Sequence, residues 1–327
     1  MSESSSAGPR VQGVVIAALL ALCSFAMPAG ANASAKPEAE ADELLARGTY
    51  LAAKVARCSW CHSPVDRSLA FPVARRPTGS GGGFLLTPEN KFPGTLAAPA
   101  ITPRQVGDWS DADLQRAIVN GTRPDGTRLF RWIVHDTFES LTNQDMKAII
   151  AWIRSLKEAE SQAPARDLKL AGRLILPFMR TDDELSEAPP SRSDIEEGEY
   201  LATLSGCINC HTPRNTFGQR KRGQSYSGGD VFHMPDGAVL VSPNITPDTK
   251  TGIGSWSKPL FIQMFKRFED ATAQNPEVKT SRYWRTEMPW TALGGMSERD
   301  LGLIYDYLMS LEAQENEVVR FTPGTTE

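Results

Sequence analysis

The sequence predicts an all-α protein in which one helical unit occurs twice in tandem. Two segments, residues 142–156 and 297–311, repeat apolar side chains at intervals of three and four residues, as amphipathic helices do. Strand signals are almost absent, and the Pro- and Gly-rich tracts between helices are typical of long loops. Short motifs also recur in the same order in both halves of the chain, which indicates a duplicated domain.

The N-terminal segment is typical of a secretory signal. Arg10 precedes an apolar run, residues 14–27, and a stretch of small residues follows. Ala33-Ser34-Ala35 fits a cleavage site, so we expect residues 1–35 to be removed on export to the periplasm. The apolar run of about 14 residues is shorter than the roughly 20 that a membrane-spanning helix needs. Cys23 would be lost with the signal.

The four remaining cysteines all lie in two Cys-x-x-Cys-His pentads, Cys58-Ser59-Trp60-Cys61-His62 and Cys207-Ile208-Asn209-Cys210-His211. Cys-x-x-Cys pairs alone fit disulfides, redox dithiols or zinc sites. The histidine directly after each pair favours a c-type haem, because the cysteines bind the porphyrin through thioether bonds while the histidine ligates its iron. The sequence therefore predicts two covalently bound haem c groups, one held by each pentad.

The same elements surround each pentad. A helical Gly-x-Tyr-Leu segment precedes it; a Gly-rich segment, a Pro-x-Ile-Thr tetrad and a Gly-containing turn that ends in Trp follow it. Thr142 and Ser297, each with an aspartate three residues later, predict the N-caps of the two closing helices. Ser110 predicts a third capped helix in the first unit.

These boundaries give a mature chain of two haem domains, residues 36–157 and 194–314. Residues 158–193 differ in composition but contain an apolar stretch, so we expect an ordered connector and not a free linker. Residues 315–327 form a polar tail. The net charge of -4 and the lack of a basic stripe exclude a nucleic-acid partner, since nothing would neutralise its phosphates.

Together the motifs resemble the dihaem class I cytochromes c, and among them the cytochrome c subunits of membrane-bound alcohol, sorbitol and gluconate dehydrogenases. The likeness rests on the Gly-x-Tyr-Leu segments, the Pro-x-Ile-Thr tetrads, residues 121–126 and Met288-Pro289-Trp290. It implies two tandem class I cytochrome c domains, with long loops wrapped around covalently bound haem. It also implies that Met288 is the distal iron ligand of the second haem. The alternative is a core methionine that fills a gap.

The first unit lacks the corresponding methionine. Ile133 occupies its position, and an aliphatic side chain cannot bind iron. His135, two residues later, is the candidate distal ligand of the first haem, and an uncoordinated loop histidine is the alternative. A bis-histidine haem would have a lower reduction potential than a His/Met haem. Electrons would then enter at the first haem and leave from the second.

These expectations favour a periplasmic dihaem cytochrome that transfers electrons from a dehydrogenase to a terminal oxidase or a soluble carrier. Such a complex would bring peripheral membrane association. An open iron at the first haem would instead give a two-haem enzyme, a peroxidase or a sulfur-compound oxidoreductase. Beyond Asp136 and Glu139 no acid–base pair accompanies His135. We therefore expect a non-catalytic carrier or a redox subunit of an oxidoreductase complex.

Overall fold

The structure is a computed structural model of the chain. By its internal contacts the chain divides into two compact units, residues 1–40 and 41–327, and both pentads lie in the second. The predicted signal segment up to residue 34 and Ile133 lie outside the described part. The structure describes residues 35–66, 73–87, 94–129, 135–170, 192–215, 218–234, 237–269 and 286–324.

The elements follow one another in a similar order in the two halves. The described helices of the first half are α1 (Ala35–Tyr50), α2 (Cys58–Cys61), α3 (Pro103–Val106), α4 (Asp111–Asn120), α5 (His135–Phe138) and α6 (Asn143–Ser155). A π-helical turn, Leu51–Val55, continues α1. The first-half strands are β1 (Val65–Asp66), β2 (Val73–Ala74), β3 (Leu85–Leu86) and β4 (Gly94–Ala97), and β5 (Asp167–Leu168) follows them.

The second half has its own set of elements. Its described helices are α7 (Asp194–Leu204), α8 (Cys207–Cys210), α9 (Lys258–Lys266), α10 (Trp290–Leu293) and α11 (Glu298–Ser310). Its strands are β6 (Val231–His233), β7 (Val239–Val241) and β8 (Phe321–Thr322).

The three predicted capped helices are confirmed. The Thr142 hydroxyl accepts from the backbone N–H of Asp145, and the Ser297 hydroxyl accepts from that of Asp300, as N-caps do. Ser110 caps α4 in the same way. The apolar faces of α6 and α11 enter one buried cluster that holds side chains of both halves, among them Leu51, Val55, Met146, Ile149, Leu201, Leu204, Leu301 and Leu308.

The prediction of an all-α fold is wrong. The described residues contain one two-stranded antiparallel sheet, β1–β2, and two three-stranded antiparallel sheets, β3–β4–β5 and β6–β7–β8. Their strands are only two to four residues long, too short for the alternation of apolar and polar residues that reveals a strand. Two of the five pairings also join strands that are distant in sequence, since Gly94 pairs with Leu168 and Val239 with Thr322. The pairing satisfies backbone groups that the packed loops remove from water.

A glycine in the first helix of each half allows that helix to cross the closing helix at close range. A Cβ at Gly48 would overlap the carbonyl oxygen of Ala148, and a Cβ at Gly198 would overlap that of Leu303. Both glycines belong to the Gly-x-Tyr-Leu segments. The motif therefore sets the crossing of α1 with α6 and of α7 with α11.

We expect Gly198→Ala to lower the free energy of unfolding by about 1–3 kcal/mol or more, because the two helices have to move apart. Gly302→Ala is the matched control in α11, since its Cβ would meet only ordinary contacts, the nearest 3.6 Å away at Lys258. Alanine there should stabilise the helix by roughly 0.5–1 kcal/mol. Urea unfolding measures both variants. Equal stability of the two would contradict the close crossing.

A tyrosine of each half forms a hydrogen bond with an aspartate of the other half. The Tyr50 hydroxyl donates to Asp300 over 2.5 Å and accepts from the Ser297 backbone N–H over 3.1 Å. The Tyr200 hydroxyl donates to Asp145 over 2.7 Å. Burial, with a contribution from Asp300, raises the pKa of Tyr50 to about 12. Each tyrosine thus completes the N-terminus of the closing helix in the other half.

Candidate haem sites

Each pentad begins with a single helical turn that carries its two cysteines. The turns are α2 and α8, and each is entered through a residue in the left-handed backbone region, Arg57 with φ 55° and Gly206 with φ 68°. Because residues three apart share a face of a helix, the two thiols of each turn lie on the same side. This placement suits two thioether bonds to one porphyrin.

Both pentad histidines are oriented by a proline carbonyl. His62 Nδ1 lies 2.7 Å from the carbonyl oxygen of Pro99, and His211 Nδ1 lies 2.8 Å from that of Pro243. A carbonyl only accepts, so Nδ1 carries the proton and Nε2 keeps its lone pair. Metal-binding histidines are usually held in this way. These prolines begin the Pro-x-Ile-Thr tetrads, which gives that motif a physical role.

Electrostatics keep the same imidazoles neutral. Burial lowers the pKa of His62 and of His211, and the bonds to the proline carbonyls oppose that effect. A neutral imidazole is the form that binds iron. The structure therefore presents two histidines in the protonation state and orientation of an axial ligand.

The Gly-rich segments close around the pentads. The backbone N–H of Gly81 donates to the His62 carbonyl over 2.8 Å, and that of Gly228 donates to the His211 carbonyl over 2.8 Å. Both glycines have positive φ, 86° and 77°. A Cβ at Gly228 would lie 2.5 Å from the Asn244 nitrogen, so only glycine allows this approach. The segments fix the backbone of each histidine.

Burial disfavours ionisation of the first cysteine in each pentad. None of the four pentad cysteines, all of which the structure describes, forms a disulfide. Burial raises the pKa of Cys58 to about 12 and that of Cys207 to about 11. A protonated thiol is a poor nucleophile, which disfavours disulfide exchange. Over the described ranges, no three His, Cys, Asp or Glu side chains come together as a metal-binding cluster.

The residues present fit haem c. Each half offers two thiols on one side of a turn and a neutral histidine with Nε2 available. A buried polar atom at the pentads points the same way, because Arg57 Nε has no hydrogen-bond partner within the described part of the chain. Such an orphaned atom is rare in a complete site.

Met288 lies in a turn that is anchored on both sides. It is half-buried against the core cluster, and its backbone N–H donates to the Thr286 hydroxyl over 3.0 Å. The Trp290 backbone N–H donates to the Met288 carbonyl over 2.8 Å. The Trp290 ring packs against Phe265 and Phe268, with centroids 5.3 and 5.0 Å away. Ligation of the second iron by Met288 stays a prediction.

Met296 corresponds to Leu141 of the first half, so the sequence predicts a core residue, whereas His135 is the candidate distal ligand of the first haem. Met296 is completely buried and its sulfur accepts a long hydrogen bond from Ser205, which places it in the core. His135 is the first residue of α5. Its side chain lies outside the described part, so ligation of the first haem by His135 stays a prediction.

Comparison with known proteins agrees with this chemistry. The chain is 28% identical over 251 residues to the alcohol dehydrogenase (quinone) cytochrome c subunit of Gluconacetobacter polyoxogenes, covering 72% of this chain and 50% of that protein. It is 28% identical over 324 residues to the gluconate 2-dehydrogenase cytochrome c subunit of Pantoea cypripedii, covering 94% of this chain and 67% of that protein. A diheme cytochrome c-type protein of Cereibacter sphaeroides is 30% identical over 203 residues, covering 58% and 63%. The chain resembles dehydrogenase cytochrome c subunits.

This likeness to cytochrome c subunits confirms the resemblance that the motifs predict. The chain matches no protein-family model. It spans about half the length of several curated relatives it matches. Those relatives are longer proteins, and their names describe whole subunits of which this chain corresponds to a part.

The interpretation of the sequence missed a one-residue difference between the two cytochrome-like halves. Gly48 precedes Cys58 by ten positions, whereas Gly198 precedes Cys207 by nine. The π-helical turn over Leu51–Val55 accommodates the extra residue, as π-bulges do, and such bulges are frequent at functional sites. The distance between matched motifs was the signal that could have predicted the turn.

Proposed function

We propose that the chain is a periplasmic dihaem c-type cytochrome that transfers electrons from a dehydrogenase to a respiratory acceptor. The observation that carries the proposal is the repeated histidine geometry, in which Nδ1 of His62 and of His211 is 2.7 and 2.8 Å from a proline carbonyl. Two equivalent preset ligands, each next to a pair of cysteines, favour two haem c groups per chain.

The chain's own residues would bind the cofactor and set its properties. Bound haem c supplies reversible one-electron chemistry. Cys58 and Cys61 would hold the first group and Cys207 and Cys210 the second. Cys58 and Cys207 pack against the core cluster shared by both halves. Met288 as distal ligand would give the second site a higher potential than a bis-histidine first site with His135.

The relatives support a dehydrogenase as the electron donor, because two of those described above are named as cytochrome c subunits of an alcohol and a gluconate dehydrogenase. The acceptor would be a terminal oxidase or a soluble carrier. No helix in the described ranges has the length and apolar character needed to cross a lipid bilayer. Membrane association in this proposal is peripheral, through the partner complex.

The periplasmic location rests on the N-terminal signal. Residues 1–35 have the basic, apolar and small-residue regions of a secretory signal, with cleavage expected after Ala35. Recovery of the protein from the periplasmic fraction, with a mature chain that begins at Lys36, tests this part of the proposal.

Haem content and electron transfer test the function directly. We expect the protein from a host with cytochrome c maturation to carry two haems per chain by pyridine haemochrome assay. The oxidised protein is then mixed with a quinone-dependent alcohol dehydrogenase and ethanol, or with a gluconate dehydrogenase and gluconate. Reduction of haem with at least one pair, and none when the alcohol or gluconate is omitted, is the expected result. A chain with fewer than two haems contradicts the proposal.

The two-haem enzyme is tested on the same preparation. Peroxide and thiosulfate turnover should not exceed that of a simple His/Met cytochrome c. Rapid turnover that disappears when Cys58 and Cys61 are replaced would instead establish an open iron in the first half.

A further inference from the structure

One side chain joins the two attachment turns. Arg57 directly precedes Cys58, and its Nη2 donates to the carbonyl oxygen of Ser205 over 2.6 Å, two residues before Cys207. A Cβ at Gly206 would lie 3.0 Å from the same Nη2. Arg57 is therefore adjacent to the first pentad in the sequence, while its guanidinium group lies next to the second pentad in the structure.

Among the described residues, no acidic side chain pairs with the Arg57 guanidinium. By contrast, Arg214, the other cation close to Cys210, is paired with Asp230 at 3.3 Å. Arginine keeps its proton at every accessible pH. Arg57 is near enough to Cys207 and Cys210 to act on both thiols electrostatically, and it also acts on Cys58 of its own pentad. A fixed positive charge thus lies beside the second attachment turn.

The backbone at Arg57 is unfavourable for an arginine. Its φ of 55° is left-handed, and the matching residue in the second half is Gly206 with φ 68°. A residue with a Cβ in this region costs about 1–2 kcal/mol relative to glycine. The arginine side chain is therefore held at this position against a local backbone penalty.

We infer that Arg57 is an electrostatic residue of the second haem site and raises the reduction potential of the haem attached at Cys207 and Cys210. The inference rests on the proposed function, since it requires that haem. Ferric haem carries one more positive charge than ferrous haem, so a fixed cation beside the site favours the reduced form. A residue of the first half of the chain thus raises the reduction potential of the haem in the second half.

The test uses the full-length protein loaded with haem and three variants. Arg57→Gly removes the charge and relieves the left-handed backbone, so it should fold. Arg57→Lys keeps a charge at the same place. Arg104→Gln removes an exposed cation, paired with Glu160, and serves as the matched control. Pyridine haemochrome counts the haems of each protein. Spectroelectrochemical titration, repeated in a Cys58→Ala/Cys61→Ala background, assigns the potential of the second haem.

We expect Arg57→Gly to lower the equilibrium constant for reduction of the second haem by about tenfold, which is a fall of about 59 mV. Arg57→Lys and Arg104→Gln should stay within about threefold of the unchanged protein, since each keeps the charge beside the turn. Two haems with unchanged potentials in Arg57→Gly would overturn the inference and leave the proposed function standing.

Two other results are also decisive. An equal fall in Arg57→Gly and Arg57→Lys would show that packing, not charge, sets the potential, which overturns the inference. An unsubstituted chain without haem at Cys207 and Cys210 would contradict the proposed function, and the inference with it.

Discussion

Replacement of Cys207 and Cys210 by alanine is expected to halve the haem content of the chain. The two thiols lie on one side of α8, so both thioether bonds of the second haem are lost together. The first pentad keeps Cys58 and Cys61 on α2 and should still be loaded. Pyridine haemochrome assay and the mass of the intact chain should both fall from two haems to one.

The reciprocal variant is the control for this experiment. Cys58→Ala with Cys61→Ala should remove only the first haem, and the potential that remains should be that of the second. Because side chains of both halves share one buried cluster, loss of either haem should lower the thermal unfolding midpoint of the whole chain in one transition. Two full haems on either variant would show that the pentads do not hold the cofactor.

Replacement of Met288 by alanine is expected to change the second haem without removing it. The thioether ligand would be lost, so the weak band near the red edge of the visible spectrum should disappear and a high-spin signal should rise. The potential of the second haem should fall by an amount on the order of 0.1 V, because axial ligands move haem potentials over about 0.8 V. The Met288→Ala variant should still carry two haems per chain, because both thioether bonds of the second haem remain.

The control for Met288→Ala is Met296→Leu. Met296 is completely buried in the core, so a leucine of similar volume should cost less than about 1.5 kcal/mol of stability. It should leave the visible spectrum and both potentials as they are. If Met296→Leu removes the band and Met288→Ala does not, the assignment of the distal ligand is reversed.

The parts of this molecule that sequence predicts well are those with local signals. Two local signals predict the closing helices: the caps at Thr142 and Ser297, and the apolar periodicity that follows each cap. The pentads gave the candidate haem residues, because their chemistry depends on spacing alone. The matched Gly-x-Tyr-Leu segments indicated the repeat, and the structure supplies the reason for the glycine, a helix crossing against Ala148 or Leu303.

The features that the sequence does not predict are contacts between residues far apart in the chain. β4 and β7 pair with β5 and β8, more than seventy residues away in each case, and nothing in such short segments signals a partner. The hydrogen bonds from His62 to Pro99 and from His211 to Pro243 also join residues that only the fold brings together. The hydrogen bond from Arg57 to the Ser205 carbonyl likewise joins the two halves, so no local pattern in the sequence indicates it.

The exchanged tyrosines have a consequence for the origin of the duplicated chain. Tyr50 binds Asp300 while Tyr200 binds Asp145, so equivalent residues make the same contact in both directions. That reciprocity is the defining property of an isologous interface in a two-fold symmetric homodimer. A single-unit ancestor with the same tyrosine and aspartate would satisfy both contacts only by pairing with a second copy of itself. Within one polypeptide, the two contacts no longer depend on protein concentration.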